Sequence, residues 1–518
     1  MRFYKERLFT MKKCQRITLL LALVLLISAV FTACTQQEEE KRKIWWELGT
    51  EGRAATPDNL PEDLNYDGYE VIAYHRGGLT DEAAGFDGEN ADPVQVVVYE
   101  RNRKIEQRLN VKLTWYASDG VNKTTADEIN KILQTNQYYD FILTTNNTIV
   151  NYKKNSYLCE LTDSRYLDFN QPWWWIEYMD EIAFDGVTYN FMVGDINISN
   201  FKKLSAMYVN FGLSEEILKM NSKDFYKMVN DKEWTIETFY ALTKQCYRDT
   251  DKNPLYSGKP DQDDTFGFAW SGAETIQQMI FSTSIVDDLY ERREGQFNVT
   301  LNLINNPDIQ ELCEQLTNLI HNNPGAWDRR INNEASSDFD GKIINEFAHK
   351  NYVFLAQRLT AACSSYLRST SVNFGILPYP TLYKGDDYVS YGETSATCIC
   401  IPLVVKTKSN KELDRAGAVL EALCAESYRY TIDAFYKDAL QTRYTRDPES
   451  VDMIDIIYES RNKNFLIEYN SAAGSILNKI YYSIRDQQNI ESMFASAAPQ
   501  AQSALNNYIN ELLDLRRA

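Results

Sequence analysis

A two-lobed α/β fold is what this 518-residue sequence predicts, and two observations carry the prediction. Strand-like and helix-like stretches alternate from residue 69 to residue 145, the pattern of an open, mostly parallel sheet with helices on both faces. The chain is also long: beyond the first 33 residues it still has 485, too many for one compact core and natural for two lobes.

Taken in order, residues 69 to 74 (YEVIAY) read as a first strand that ends in the loop His75-Arg76-Gly77-Gly78. Residues 94 to 109 carry apolar side chains at helical spacing, and residues 111 to 115 (VKLTW) form the second strand. A helix over 126 to 133 and a strand over 139 to 145 (YDFILTT) complete the alternation. Ligands of such sheets bind outside the carboxyl ends of the strands. That rule points to the loops at Arg76 and at Asn146-Asn147. The pattern then changes. Residues 204 to 209 are strand-like, and 213 to 220 and 235 to 247 are helical, with Thr235 capping the latter just after Trp234. Short strands are expected over 266 to 270, 351 to 355 and 374 to 377, with helices from about 274 and over 307 to 320. A long extended segment follows over 391 to 405. Helices at 411 to 425, 427 to 440, 448 to 461, 472 to 486 and 503 to 516 close the chain, without internal repeats.

The N-terminus carries a different signal. Lys12, Lys13 and Arg16 precede an apolar run, residues 17 to 34 (ITLLLALVLLISAVFTAC), and the acidic TQQEEE follows it. A positive segment, an apolar segment and small residues at the end make an export signal. Phe31-Thr32-Ala33-Cys34 resembles the lipobox of bacterial lipoproteins, with Phe31 where Leu is usual. A membrane span needs about 20 apolar residues, and only 17 uncharged positions stand before Cys34. Residues 1 to 33 therefore read as a lipoprotein signal peptide, Cys34 as the lipidated residue, and 34 to 65 as a flexible tether. Met11 offers a second, more ordinary start for such a signal.

Composition narrows the function. The chain carries a net charge of −19, and its first 33 residues hold six basic and one acidic side chain, so the remainder carries −24. Such a surface repels phosphates and anionic lipid, which excludes nucleic acid as a partner and leaves membrane association to the anchor. Besides Cys14 and Cys34, seven cysteines are scattered irregularly, an odd number that makes no disulfide framework. Cys398 and Cys400 have strand spacing and read as buried small residues. With histidine only at 75, 321 and 349, there is no H-E-x-x-H motif, and neither a P-loop nor G-x-S-x-G occurs. Residues 249 to 253 begin like a calcium loop, but Pro254 and Pro260 stand where Gly and Glu are needed. No catalytic residue, cofactor or metal is expected.

Several stretches together resemble the extracellular solute-binding proteins of family 1, the lipoproteins that feed ABC importers. They are NVKLTW with YYDFILTT (110 to 145), residues 206 to 213 with Glu233-Trp234-Thr235, DTFGF (264 to 268), FGILPYP (374 to 380), and KELDRAGAVLEALCAESY (411 to 428). Residues 439 and 440 and 446 to 450 (RDPES) extend the last stretch, and the resemblance covers roughly residues 66 to 470. It implies a periplasmic-binding-protein-like fold of type II, in which each lobe is a mostly parallel sheet flanked by helices and the ligand cleft lies at the hinge. Lobe 1 would take residues 66 to 200 and 395 to 430, and lobe 2 residues 205 to 393 and 431 to 518. The crossings would run near 199 to 205 and 391 to 396. The implied function is capture of a sugar or oligosaccharide by a monomer on the outer face of the cytoplasmic membrane and delivery to ABC permease subunits. A surface-anchored polysaccharide hydrolase and a sensory binding protein for a membrane receptor are the alternatives.

Six residues are candidates for ligand contact. Asn146 and Asn147 offer amides to vicinal hydroxyls, or else form a turn. Arg76 offers a fork beside Gly77 and Gly78, or else belongs to a plain strand-to-helix turn. Trp270 ends a short strand and reads as a stacking platform for a sugar ring, against a core role. Tyr391 and Glu393 lie at the return crossing, as cleft floor or as packing. Of Trp173, Trp174 and Trp175, at least two are expected to serve the core or the contact between lobes.

Overall fold

The computed structural model describes residues 49–118, 123–145, 157–183, 188–250, 264–270, 273–292, 298–328, 339–349, 351–392, 397–441, 449–461 and 464–517. The apolar run 17–34 with Cys34, and the candidates Asn146, Asn147 and Glu393, lie outside the described residues. The described residues up to Pro57 belong to one unit, which holds the helix Gly49–Ala54. Residues from Asp58 onward form the other.

The second unit is built on two sheets. Its described strands are β1 (Tyr69–His75), β2 (Val111–Ala117), β3 (Phe141–Thr145), β4 (Ser205–Asn210), β5 (Phe266–Trp270), β6 (Tyr290–Arg292), β7 (Val299–Leu301), β8 (Ala326–Asp328), β9 (Tyr352–Arg358), β10 (Phe374–Leu377) and β11 (Thr397–Cys400). The first sheet has the order β11-β3-β1-β2 and the second β10-β4-β9-β5-β8, while β6 and β7 make a separate hairpin. In the first sheet β1 runs parallel to both β2 and β3, and only β11 is antiparallel. In the second, β5 runs parallel to β8 and β9, and β4 is antiparallel to β9 and β10. The α/β class with parallel-rich sheets is thus present.

Local chemistry sets these elements. The helix Pro93–Leu109 starts in a capping box: Asp92 accepts from the amides of Val94 and Gln95, and Gln95 Oε1 accepts from the Asp92 amide, all at 2.9 Å. Proline stands at its first position, where no amide donor is needed. It ends at Asn110 in the left-handed conformation (φ 49°), so β2 can begin at once. Its buried side chains Val94, Val98, Arg101, Asn102, Ile105 and Leu109 recur at three- and four-residue steps, which is one face of a helix. All five residues of β3 are buried, as in a strand covered on both faces.

Three boundaries differ from the sequence expectation. The extended segment predicted to reach residue 405 stops at Cys400, because Pro402 cannot donate to a ladder and instead caps the helix Leu403–Lys408. The last helix, expected from residue 503, runs over Ile490–Arg517 straight through Pro499. The two helices expected over 411 to 425 and 427 to 440 are one run, Asn410–Glu426 and Ile432–Gln441 joined by a π-helical turn, Ser427–Thr431. Thr235 caps its helix as expected, accepting from the Thr238 amide at 3.1 Å.

Six of the seven cysteines among the described residues are buried. Burial pushes the Cys159 thiol up to about 11 and those of Cys246 and Cys313 up to about 12, so these are inert packing groups.

Candidate functional site

The two segments expected to cross between lobes lie side by side: Leu204 bridges to Gly392, and the Ser205 amide donates to the Tyr391 carbonyl at 2.9 Å. A buried carboxylate ties the neighbouring residues together. Glu82 follows the loop after β1 and is 5% exposed. It accepts from the Ser199 amide at 2.7 Å, the Ser199 hydroxyl at 3.2 Å and the Thr397 hydroxyl at 2.8 Å. Asn200 closes the group, since its Nδ2 donates to the Thr397 carbonyl and its Oδ1 accepts from the Thr397 amide, both at 3.0 Å. One acidic side chain thus latches residues near both crossings to the end of β1. Such a network holds a geometry because an unmade partner in a buried site costs more than a made one returns.

The latch is backed by a buried arginine. Arg101 donates to the carbonyls of Glu82 (3.1 Å) and Ala83 (3.0 Å) and to Ser427 Oγ (3.0 Å). Burial lowers its pKa to about 10, against the pull of Cys424 and Glu82, which leaves it charged at neutral pH. His75, also buried, donates from Nδ1 to the Arg76 carbonyl at 2.8 Å; burial holds its pKa below the usual imidazole range.

Beside the latch lies a recess lined by Trp175, Gly194, Asp195, Asn197, Asn200, Phe201, Ile432, Tyr458 and Arg461, among others. Its free volume, about 10 Å³, is roughly that of one water. Each wall has a local reason. Trp173 and Trp174 point inward, and their indole N–H groups both donate to Glu421, at 3.1 and 2.9 Å. Trp175 is left half-buried at the recess, stacked on Tyr178 at 4.6 Å. Gly194 must lack a side chain, because a Cβ there would stand 2.7 Å from Trp174 and 2.9 Å from Cys424 Sγ. A turn follows in which the Asn197 amide donates to the Gly194 carbonyl at 2.8 Å and Asn197 Oδ1 accepts from the Gly194 amide at 3.3 Å. Asn197 Nδ2 is buried without a hydrogen-bond partner. Arg461, after the helix Glu449–Glu459, lies over the Tyr458 ring at 3.9 Å and the Trp175 ring at 4.6 Å. Among the described residues its guanidinium has neither a hydrogen bond nor an ion pair.

The candidates from sequence fall in different places. Arg76 is half-buried in a tight strand-to-helix turn, where the Leu79 amide donates to its carbonyl and the helix Thr80–Ala83 follows. Gly78, with φ +85°, makes that turn possible. Trp270 is 1% exposed and meets the His321 ring edge-on at 5.6 Å, within the core of the second sheet. Tyr391 is 4% exposed and packs edge-on against Phe281 at 5.0 Å. The residues the sequence reading did not single out are Glu82, Asn197, Tyr458 and Arg461. They come from three distant parts of the chain, and no local motif joins them. The only sequence cue was the tryptophan triplet, of which at least two were expected to be structural; one, Trp175, lines the recess.

No family model matches the sequence, and neither does any curated protein. Solved structures do share the fold. UgpB from Mycobacterium tuberculosis, in complex with glycerophosphocholine, aligns over 85% of this chain and 100% of its own, with 12% identity and a TM-score of 0.54. The GacH receptor of Streptomyces glaucescens, solved unliganded and with acarbose, aligns over 85% and 99% with 10% identity and a TM-score of 0.52. The ABC substrate-binding protein Lmo0181 from Listeria monocytogenes, in complex with cycloalternan, aligns over 85% and 99% with 11% identity and a TM-score of 0.52. The chain has the periplasmic-binding-protein-like fold.

Proposed function

We propose that the protein is a lipid-anchored extracellular solute-binding protein that captures a sugar or oligosaccharide and hands it to an ABC importer, without chemistry of its own. The observation that carries this reading is the recess at the crossing segments. It combines aromatic walls with Arg461 and Asn197 Nδ2, two donor groups without a hydrogen-bond acceptor among the described residues, and such a mix is the composition of a small-molecule site. The fold supports it, as do the ligands of the neighbours, which include acarbose and cycloalternan. Hinge closure around a ligand is how such folds work, and the ligand acts through its preference for the closed state. Cys34 would hold the protein at the outer face of the cytoplasmic membrane, with permease subunits as partners and a monomer as the working form.

Thermal melting of the full-length chain in mild detergent across a panel of sugars tests binding. A ligand at a hundredfold excess over its Kd adds about 2.7 kcal/mol, so the melting temperature should rise without product appearing. Turnover of any glycan by the purified protein would replace binding by hydrolysis. The anchor is tested separately by Cys34→Ala, whose membrane retention should be lost.

A further inference from the structure

The geometry points to an acidic sugar, one bearing a carboxylate, as the ligand, with Arg461 and Asn197 as the residues that select it. This rests on the solute-binding reading above and adds the class of solute.

Arg461 is held by aromatic rings: its Cζ lies 3.9 Å from the centroid of Tyr458 and 4.6 Å from that of Trp175. A cation–π contact positions the guanidinium without giving its N–H groups an acceptor. Trp175 is itself fixed, because Tyr178 stacks on it at 4.6 Å. Arg461 is therefore a positioned fork with no acceptor supplied by the described residues. The second unused group is also a donor: Asn197 Nδ2, on a residue 2% exposed that lines the same recess. Its orientation is set, since Oδ1 is already engaged by the Gly194 amide.

A buried amide N–H left without an acceptor costs about 1–3 kcal/mol. Two unused donor groups in one recess therefore call for a ligand group made of acceptors. A neutral hydroxyl satisfies one donor but leaves the guanidinium charge unmet. A carboxylate meets both, with two oxygens in the plane that a guanidinium fork prefers. Asp195 lines the same recess and repels any anion there, so a phosphate dianion suits the site less well than a singly charged carboxylate. The free volume of about 10 Å³ holds about one water, so a carboxylate enters only as the walls part, with the sugar ring outside. In a chain this acidic, attraction of an anion must come from a local positive group.

The test measures binding of trigalacturonate and cellobiouronate against galactotriose, cellobiose and glucose 6-phosphate, by calorimetry on the full-length chain in mild detergent. The acidic sugars should bind at least tenfold more tightly than their neutral counterparts. Arg461→Gln should cost them tenfold or more, Arg461→Lys less, and neutral sugars should change by under twofold in either. Asn197→Asp, which keeps the shape but turns a donor into an acceptor, should cost a similar factor and carries the test should Arg461→Gln fold poorly. Neutral sugars binding as well as acidic ones overturns the inference and leaves the solute-binding reading standing. So does uronate binding unchanged in both Arg461→Gln and Asn197→Asp, or tighter binding of the sugar phosphate. Absence of binding by every sugar overturns both readings.

Discussion

The regions around the two sheets are held together by different chemistry. Around the second sheet the cement is aromatic. Phe225, Trp234, Phe239, Phe268 and Phe354 form a chain of ring contacts between 5.1 and 6.4 Å, mostly tilted or edge-to-face. Each such pair contributes about 0.5–1.5 kcal/mol beyond the area it buries. Around the first sheet, buried charges do the joining. Arg108 grips Asp58 with two bonds of 2.6 Å, Arg429 adds a third at 3.1 Å, and Lys104 reaches Glu426 at 2.7 Å. Arg415 pairs with Glu412 and lies over the Tyr69 ring at 3.2 Å. The Glu82 latch and the Glu421 carboxyl that seats two tryptophans are likewise buried acidic groups held by directional hydrogen bonds. Apolar packing tolerates small shifts and ignores pH. Hydrogen-bonded charge fixes direction and depends on protonation. The side of the molecule that fixes Ser199 and Thr397 is the side built from directional bonds.

Removing the centre of the aromatic region should do the most damage. Trp234→Ala leaves a cavity among Phe225, Phe239 and Phe354 and strands the Pro378 carbonyl that its indole now bonds at 2.9 Å. A loss of about 3–5 kcal/mol is expected by denaturant titration, with no dependence on pH. The corresponding cut in the polar region, Glu82→Ala, should cost about 2–3 kcal/mol, since the Ser199 amide and two hydroxyls lose their acceptor. Its signature should be local: hydrogen exchange should speed up at Ser199 and Thr397 before the second sheet is affected.

Protonation separates the regions further. Burial raises Glu421 to about 8, against the pull of the Asp168 amide and the two indoles, and raises Glu468 to about 7, against the Tyr178 hydroxyl. In both the folded pKa lies above that of an unfolded glutamate, so the folded protein binds the extra protons. Stability from these groups is full below about pH 4.5 and falls as pH rises to about 7–8. Thermal melts should decline over that window. Glu468→Gln, which keeps a neutral polar group in place, should flatten part of the slope. The smallest effect is a cap: Thr235→Ala should cost about 1 kcal/mol, at the edge of the aromatic region.

How much of this the sequence disclosed follows the same division. Strands β3, β5 and β10 were legible because strands buried on both faces are short apolar runs with little else in them. The helix Ile236–Thr243 was legible at its start, because a threonine cap is a local event. The start of the last helix was not legible: it runs through Pro499, where packing of the flanking turns against the rest of the fold outweighs the lost bond. The polar constructions stayed hidden. Glu82 meets Thr397 across 315 positions, and Arg101 meets Ser427 across 326. No window of sequence contains both ends of such a bond. Trp270 and Tyr391 stood out by type and position, but large rings next to strands are as apt to fill a core as to face a ligand.

The π-helical turn Ser427–Thr431 has a consequence for the recess. An α-helix turns through about 100° per residue, so one residue more in a single turn re-phases everything after it by about that angle. The run from Asn410 begins with one face against the first sheet's surroundings and leaves the π turn with another face presented. Ile432 then reaches the recess wall, and Phe435 meets the Phe201 ring at 5.1 Å. Deleting one residue of the turn would leave every other side chain in the sequence and still point the downstream half of the rod elsewhere. The recess owes its shape to a count of residues as much as to their identity.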